Sequence, residues 1–163
     1  MRVWRVTAVY RAPYRNVWRD VMHPYSCLAA GYARLGPLRA EESTDAIADR
    51  IRNAYPQMAA PGNLANVKRE ARSLVLFRRE VQPGDLAVVT HGPNVWGLGR
   101  VLGQYEYHQE DSDVAPNRRP ATWVAKFRDR TWVLSKGGLG FVNEITDQDD
   151  LATIRKRFEE VEG

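Results

Sequence analysis

The sequence predicts an α+β fold: a small, curved, mixed or antiparallel sheet of about five or six strands with two or three helices, closer to a barrel than to a sandwich. Three observations carry this. The 163 residues suit one core, which at that length hides about two thirds of the unfolded chain's surface. Helical periodicity occupies residues 41–55, 64–79 and 147–161. Between residues 86 and 134 the chain turns to runs rich in β-branched and aromatic residues, divided by Gly, Pro and Asn.

Met1 to Tyr10 sets Val3, Arg5, Thr7 and Val9 against Arg2, Trp4, Val6 and Tyr10, the period of a strand. Arg11 to Pro24 carries Pro13, Pro24 and three arginines and reads as a loop with one helical turn, since Trp18 and Met22 stand four apart. Tyr25 to Tyr32 is a short apolar run that periodicity leaves open between strand and helix. Glu41 to Tyr55 is a helix: Ser43 or Thr44 caps it, Ile47, Ile51 and Tyr55 share a face, and Pro56 stops it. A second helix over Leu64 to Arg79 places Leu64, Val67, Ala71, Leu74 and Val75 inward and Lys68, Arg69 and Arg72 outward. Pro83-Gly84-Asp85 is a turn.

Strands follow at Leu86–Thr90, at Val95–Tyr107 after the His91-Gly92-Pro93-Asn94 turn, at Pro120–Phe127 and at Thr131–Leu134. The polar stretch Tyr105 to Asn117 is a loop, and Gly137 to Gly140 breaks the chain. Asp147 caps a last helix reaching Val161, with Leu151, Ile154 and Phe158 inward. The whole chain, 1–163, reads as a single domain without internal repeats.

Cys27 is the only cysteine, which excludes an internal disulfide framework and a cysteine-rich zinc site. No apolar run approaches the ~20 residues that span a bilayer, and Met1-Arg2-Val3-Trp4-Arg5 does not read as a signal peptide, so no membrane partner and a cytoplasmic location are expected. The net charge is +4, and arginine supplies 20 of the 24 cations. Arginine's planar fork suits phosphate, but coding bias gives the same excess, and composition leaves both readings standing.

Catalytic patterns fail on their parts. Gly97-Leu98-Gly99 has Leu102 where a dinucleotide fingerprint needs glycine, and it lies inside a strand. His23 stands four residues before Cys27, with no third group to orient it; the alternative is a small buried thiol. His108 beside Glu106, Glu110, Asp111 and Asp113 reads as a divalent-cation site or as an acidic surface loop. The expectation is a non-catalytic chain with no cofactor and no metal. The aromatics are more informative: Trp4, Trp123 and Trp132 sit at strand positions and read as core, whereas Trp18, Tyr25 and Trp96 stand on loops or turns near arginines, where rings suit base stacking.

In order along the chain come CLAAGYARLG at residues 27–36, LFRREVQPGDLAVV at 76–89, WGLGRV at 96–101, Tyr105-Glu106-Tyr107, Asn117-Arg118-Arg119 and Thr122-Trp123-Val124. This order resembles the EVE-like members of the PUA superfamily, in particular the modified-DNA-reading domains at the N-terminus of McrB-type and EVE–HNH modification-dependent restriction endonucleases. The resemblance covers roughly residues 1–134.

It implies a twisted, nearly closed barrel whose pocket receives one flipped, modified base: 5-methylcytosine or 5-hydroxymethylcytosine in the first place, 6-methyladenine in the second. It implies double-stranded DNA as partner, and a nuclease domain or subunit of HNH or McrB/McrC type elsewhere in a larger restriction protein. The superfamily also holds RNA and modified-nucleoside binders, which stand as the alternative, and an enzyme using Cys27 and His23 comes third. Carried over by position, the base pocket takes Trp18, Tyr25, Ser26, Cys27, His91, Asn94 and Trp96, with Tyr32 either there or packed beneath the barrel. Phosphate contacts fall to Arg118 and Arg119 just before a strand, then to Arg15, Arg19 and Arg100.

Overall fold

The computed structural model describes residues 1–11, 14–109, 115–126, 132–135 and 140–162. Among these residues the chain runs β1 (Val3–Thr7), β2 (Val9–Arg11), β3 (Tyr14–Asn16), a π-helical turn Trp18–Met22, β4 (Cys27–Ala30) and α1 (Thr44–Ala54). It continues with α2 (Leu64–Val75), prolonged by a π-helical turn Leu76–Glu80, then β5 (Leu86–His91), β6 (Asn94–Val101), β7 (Glu106–Tyr107), β8 (Asn117–Lys126), β9 (Val142–Glu144) and α3 (Gln148–Glu162). No helix of the described residues is long and apolar enough to cross a membrane.

Six strands stand in the order β4-β8-β6-β5-β1-β9, with β7 added beside β8. β1 and β5 are parallel, Val3 opposite Leu86 through Thr7 opposite Thr90, and the remaining pairs are antiparallel. The sheet curls into a half-barrel and stays open, because β4 and β9 end it without pairing to each other. The period-two alternation of β1 feeds two cores. Trp4 and Val6 face the larger one with Ile47, Ile51, Val67, Leu74 and Phe77 from the helical layer of α1 and α2. Val3 faces the smaller one, where Leu86, Val88 and Leu98 meet Ile154 and Phe158 of α3.

Asp85 aligns the parallel pair. Its carboxylate accepts from Trp4 Nε1 at 2.8 Å, Gln82 N at 3.0 Å and Arg2 N at 3.1 Å, and the preceding Gly84 makes the turn with φ +94°. The caps agree with the sequence: Ser43 Oγ accepts from Ala46 N at 3.1 Å, and Asp147 Oδ1 from Asp150 N at 3.0 Å.

Several expectations are corrected. The stretch read as a loop from Arg11 contains β3, which makes a hairpin with β2. The run after Tyr25 resolves as a strand, β4, buried on both faces. The long strand over Val95–Tyr107 is broken into β6 and β7, both paired to β8; at the break a side chain on Gly103 would meet Pro120 at 2.8 Å. Leu64, expected inward, is exposed. Among the described residues of the stretch expected as a strand over Thr131–Leu134, Val133 forms a bridge to Asn94, and β9, not anticipated, supplies the sheet's last strand. Phe127, Thr131, Gly137 to Leu139, and the acids Glu110, Asp111 and Asp113 lie outside the described residues.

Candidate ligand cleft beside Tyr25

The π-helical turn Trp18–Met22 ends at a reversal in which Tyr25 N donates to Val21 O at 3.0 Å. Ser26 then adopts a left-handed φ of +50°, a conformation disfavoured for a side-chain-bearing residue, and its carbonyl accepts from Ala121 N at 2.9 Å. Cys27 enters β4 opposite Pro120. The consequence is a ring held out from the surface: Tyr25 is 61% exposed.

Beneath that ring lies a charge. Arg118, on β8 between β4 and β7, is 4% exposed, donates Nε to Ala115 O at 3.2 Å and holds its guanidinium carbon 5.1 Å from the Tyr25 ring centre. β7 brings Glu106 and His108 to the same place, His108 Nε2 lying 3.1 Å from the Glu106 carboxylate. Tyr25, Ser26, Cys27, Glu106, His108, Arg118 and Pro120 enclose a cleft of about 290 Å³. That is the lower end of the ~300–1,000 Å³ range of small-molecule sites.

The walls are chemically distinct. Tyr25 over Arg118 makes a flat stacking face, Pro120 and Cys27 an apolar one, and Ser26, Glu106 and His108 an edge with both donors and acceptors. Cys27 is buried, its thiol directed at Val21 O at 3.9 Å. The histidine that shares its cleft is His108; His23 stacks instead against Trp18, ring centres 5.4 Å apart. Among the described residues no group of three or more His, Cys, Asp and Glu side chains is gathered where it could hold a metal ion.

The other predicted pocket residues are dispersed. Trp18 lies flat on β6, where a side chain on Gly97 would come within 2.5 Å of it, and edge-on to Trp123 at 4.7 Å. Trp96 is the extra residue of a β-bulge, since the pairing of β5 and β6 passes from Val89 opposite Gly97 to Thr90 opposite Val95. It packs against His91 at 5.0 Å, with Asn94 bonding back to His91 O at 3.3 Å. This group neighbours the Lys126 end of β8, while the cleft neighbours Pro120, about 20 Å away at the rise of a strand.

Tyr32 belongs to a third place. Its φ is +63°, its ring meets Tyr55 at 5.5 Å and Phe141 at 6.1 Å, and its hydroxyl and the Glu70 carboxyl influence each other's protonation. Burial pushes the Tyr10 and Tyr32 hydroxyls and the Glu70 carboxyl up from their ordinary values, and Tyr10 Oη and Glu70 Oε2 are buried with no hydrogen-bond partner among the described residues.

The arginines are corrected most. The pair expected just before a strand lies within β8, both residues buried. Arg119 is 1% exposed and caps the turn Leu76–Glu80 from below, donating to Phe77 O at 2.7 Å and Arg78 O at 2.6 Å; burial lowers its pKa to about 10. A side chain so enclosed does not reach a phosphate. Arg100 pairs with Glu162 at 3.2 Å, tying α3 to the sheet. Arg15 on β3 and Arg19, paired with Asp20 at 2.8 Å, remain at the surface near Trp18.

The sequence pattern missed Glu106 and His108 as cleft residues because their place depends on β7 pairing with β8, a contact across ten residues. The signal available was Tyr105-Glu106-Tyr107, whose alternation is that of a strand.

The described residues form an open α+β half-barrel with a cleft at its β4 and β7 side. The chain belongs to the family described as a domain of unknown function (DUF8426), whose model matches residues 19–142 and takes in every residue of the Tyr25 cleft. No curated protein matches the chain.

Proposed function

We propose that the chain is a non-catalytic reader that receives a flipped, modified base in the Tyr25 cleft and so directs a modification-dependent nuclease, carried by a separate domain or subunit, to DNA in the cytoplasm. The observation that carries the reading is the exposed Tyr25 ring backed by the Arg118 guanidinium over a cleft of about 290 Å³. A base drawn from a duplex loses a few kcal/mol of stacking, and a ring with an arginine behind it returns ~1–3 kcal/mol per base.

The cleft edges fit a base that carries an amine. Glu106 is an acceptor for the exocyclic amine of cytosine or adenine, Ser26 serves a ring nitrogen or carbonyl, and Cys27 with Pro120 gives a methyl group an apolar wall. The curled sheet flanked by helices is compatible with a PUA or EVE-like barrel whose last closure is missing. Phosphate contacts pass to Arg15 on the β2–β3 hairpin and Arg19 on the π-helical turn before the cleft, in place of Arg118 and Arg119.

The test is a binding panel of duplexes carrying 5-methylcytosine, 5-hydroxymethylcytosine, 6-methyladenine or no modification, at one stated salt concentration. Preference for one modified duplex, removed by Tyr25→Ala, is the expected result. Equal affinity for all duplexes would overturn the reading, and tighter binding to RNA than to any of them would move it to the RNA and nucleoside binders. Turnover lost on Cys27→Ser would replace it with a thiol enzyme.

A further inference from the structure

A second cleft, of about 300 Å³, opens at the other side of the sheet between β1, β9 and the start of α3. Arg5 lines it, with Asn143, which stands opposite Arg5 across the β1 and β9 pairing, and with Thr146, Asp147 and Asp150. Arg5 is 9% exposed. Its Nε donates to Thr90 Oγ1 at 2.9 Å, its Nη2 reaches Gly92 O only at a long 3.4 Å, and its buried Nη1 has no partner among the described residues.

No carboxylate of the described residues stands within ion-pair distance of it. Glu144 is taken by Arg2 at 3.1 Å, Asp147 caps α3, and Asp150 Oδ1 accepts from Ser135 N and Oγ at 2.9 Å. Burial without such a partner draws the Arg5 guanidinium below its ordinary pKa. A buried cation left without counter-charge is costly, and the orphaned part is the Nη1–Nη2 edge, the side of the fork that meets a carboxylate with two parallel bonds.

We infer that the Arg5 cleft binds a carboxylate group. The occupant replaces the long Gly92 bond and takes the Nη edge of Arg5, with the Asn143 amide beside it. A single negative charge suits the site and a double one does not, because Glu144, Asp147 and Asp150 also line the cleft. This site is independent of the Tyr25 cleft and of any reading of that cleft.

The experiment is a titration of ¹⁵N-labelled protein with sodium acetate, sodium phosphate and sodium chloride at constant ionic strength, following Arg5 Nε–H, the Asn143 side-chain amide and the Gly92 backbone amide. Acetate is expected to give saturable shifts at these three groups with a Kd of about 1 mM, and Arg5→Lys to weaken it about tenfold or more. An acetylated dipeptide with a free or an amidated C-terminus separates the sources: tighter binding of the free acid than of acetate assigns the group to a chain end, and equal binding to a small metabolite. Three results would overturn the inference: shifts in chloride equal to those in acetate, saturation by phosphate at lower concentration than by acetate, or acetate shifts centred on Tyr25. The location of the wild-type shifts decides even where Arg5→Lys does not fold.

Discussion

The two clefts differ little in size, about 290 and 300 Å³, and each holds a buried arginine, yet they present different chemistry. In the Tyr25 cleft the guanidinium of Arg118 lies beneath an exposed ring, 5.1 Å from its centre, and is bonded to Ala115 O, so what faces outward is the flat ring. In the Arg5 cleft no ring of the described residues stacks on the cation, and the distinctive feature is an unsatisfied edge of N–H groups. Stacking is tolerant of what it stacks and takes its selectivity from the rim, whereas an N–H edge demands an acceptor. Both clefts lie toward the unpaired sides of an open sheet, where loops and helix ends replace a neighbouring strand.

The largest expected effect tests whether β8 divides its two arginines between site and scaffold. Arg119→Met strands the Phe77 and Arg78 carbonyls, at ~1–3 kcal/mol each, while relieving a buried charge that offsets part of the loss. A net fall of about 3 kcal/mol in urea-unfolding stability is expected, with ligand affinity of the folded fraction unchanged at both clefts. Retained stability with lost affinity at the Tyr25 cleft would place Arg119 in the site after all.

Next in size is Gly97→Ala, midway across the sheet, where the new methyl would come within 2.5 Å of the Trp18 ring. Displacing that ring is expected to cost about 2 kcal/mol in thermal or urea unfolding. Trp18 opens the segment that leads to Tyr25, so binding at the Tyr25 cleft should weaken and acetate binding at Arg5 should not; equal weakening at both would mean the clefts are coupled. Tyr25→Ala acts the other way: stability stays within about 0.5 kcal/mol because the ring is 61% exposed, and affinity for a flat ligand falls about tenfold. Isothermal calorimetry on the variant and the wild type reads the second quantity.

How much of this was legible in the sequence follows from how local each cause is. The caps at Ser43 and Asp147 and the turn at Gly84 depend on neighbours within four residues, and they stand where the pattern puts them. The candidate cleft was legible in part: Tyr25, Ser26 and Cys27 are consecutive. Their partners Glu106, His108 and Arg118 come from strands whose register is a tertiary fact. Asn117-Arg118-Arg119 shows the limit most clearly. Three polar residues before a proline read as exposed, yet β4 and β7 pair on either side of them and all three are buried. Burial of charge is invisible to hydropathy because it is permitted by particular acceptors, the Phe77 and Arg78 carbonyls here, some forty residues distant in sequence.

Tyr32 and Glu70 supply the smallest effect and the control for both clefts. Burial raises the Glu70 carboxyl, opposed by the Tyr32 hydroxyl and by Arg69, and the net direction is upward. The native state then holds the Glu70 proton more tightly than the unfolded chain, so between the ordinary glutamate value and the raised one Glu70's contribution to unfolding stability falls as pH rises. Glu70→Gln keeps a polar neighbour for Tyr32 and removes the charge, so the variant's stability should lack that decline, with the gain greatest at the alkaline end. Urea unfolding across that range reads the slope, and ligand affinity at either cleft should not change. A wild-type stability that rises with pH there relative to the variant's would mean Glu70 is ionised in the fold and that the Tyr32 hydroxyl, not burial, governs the cluster.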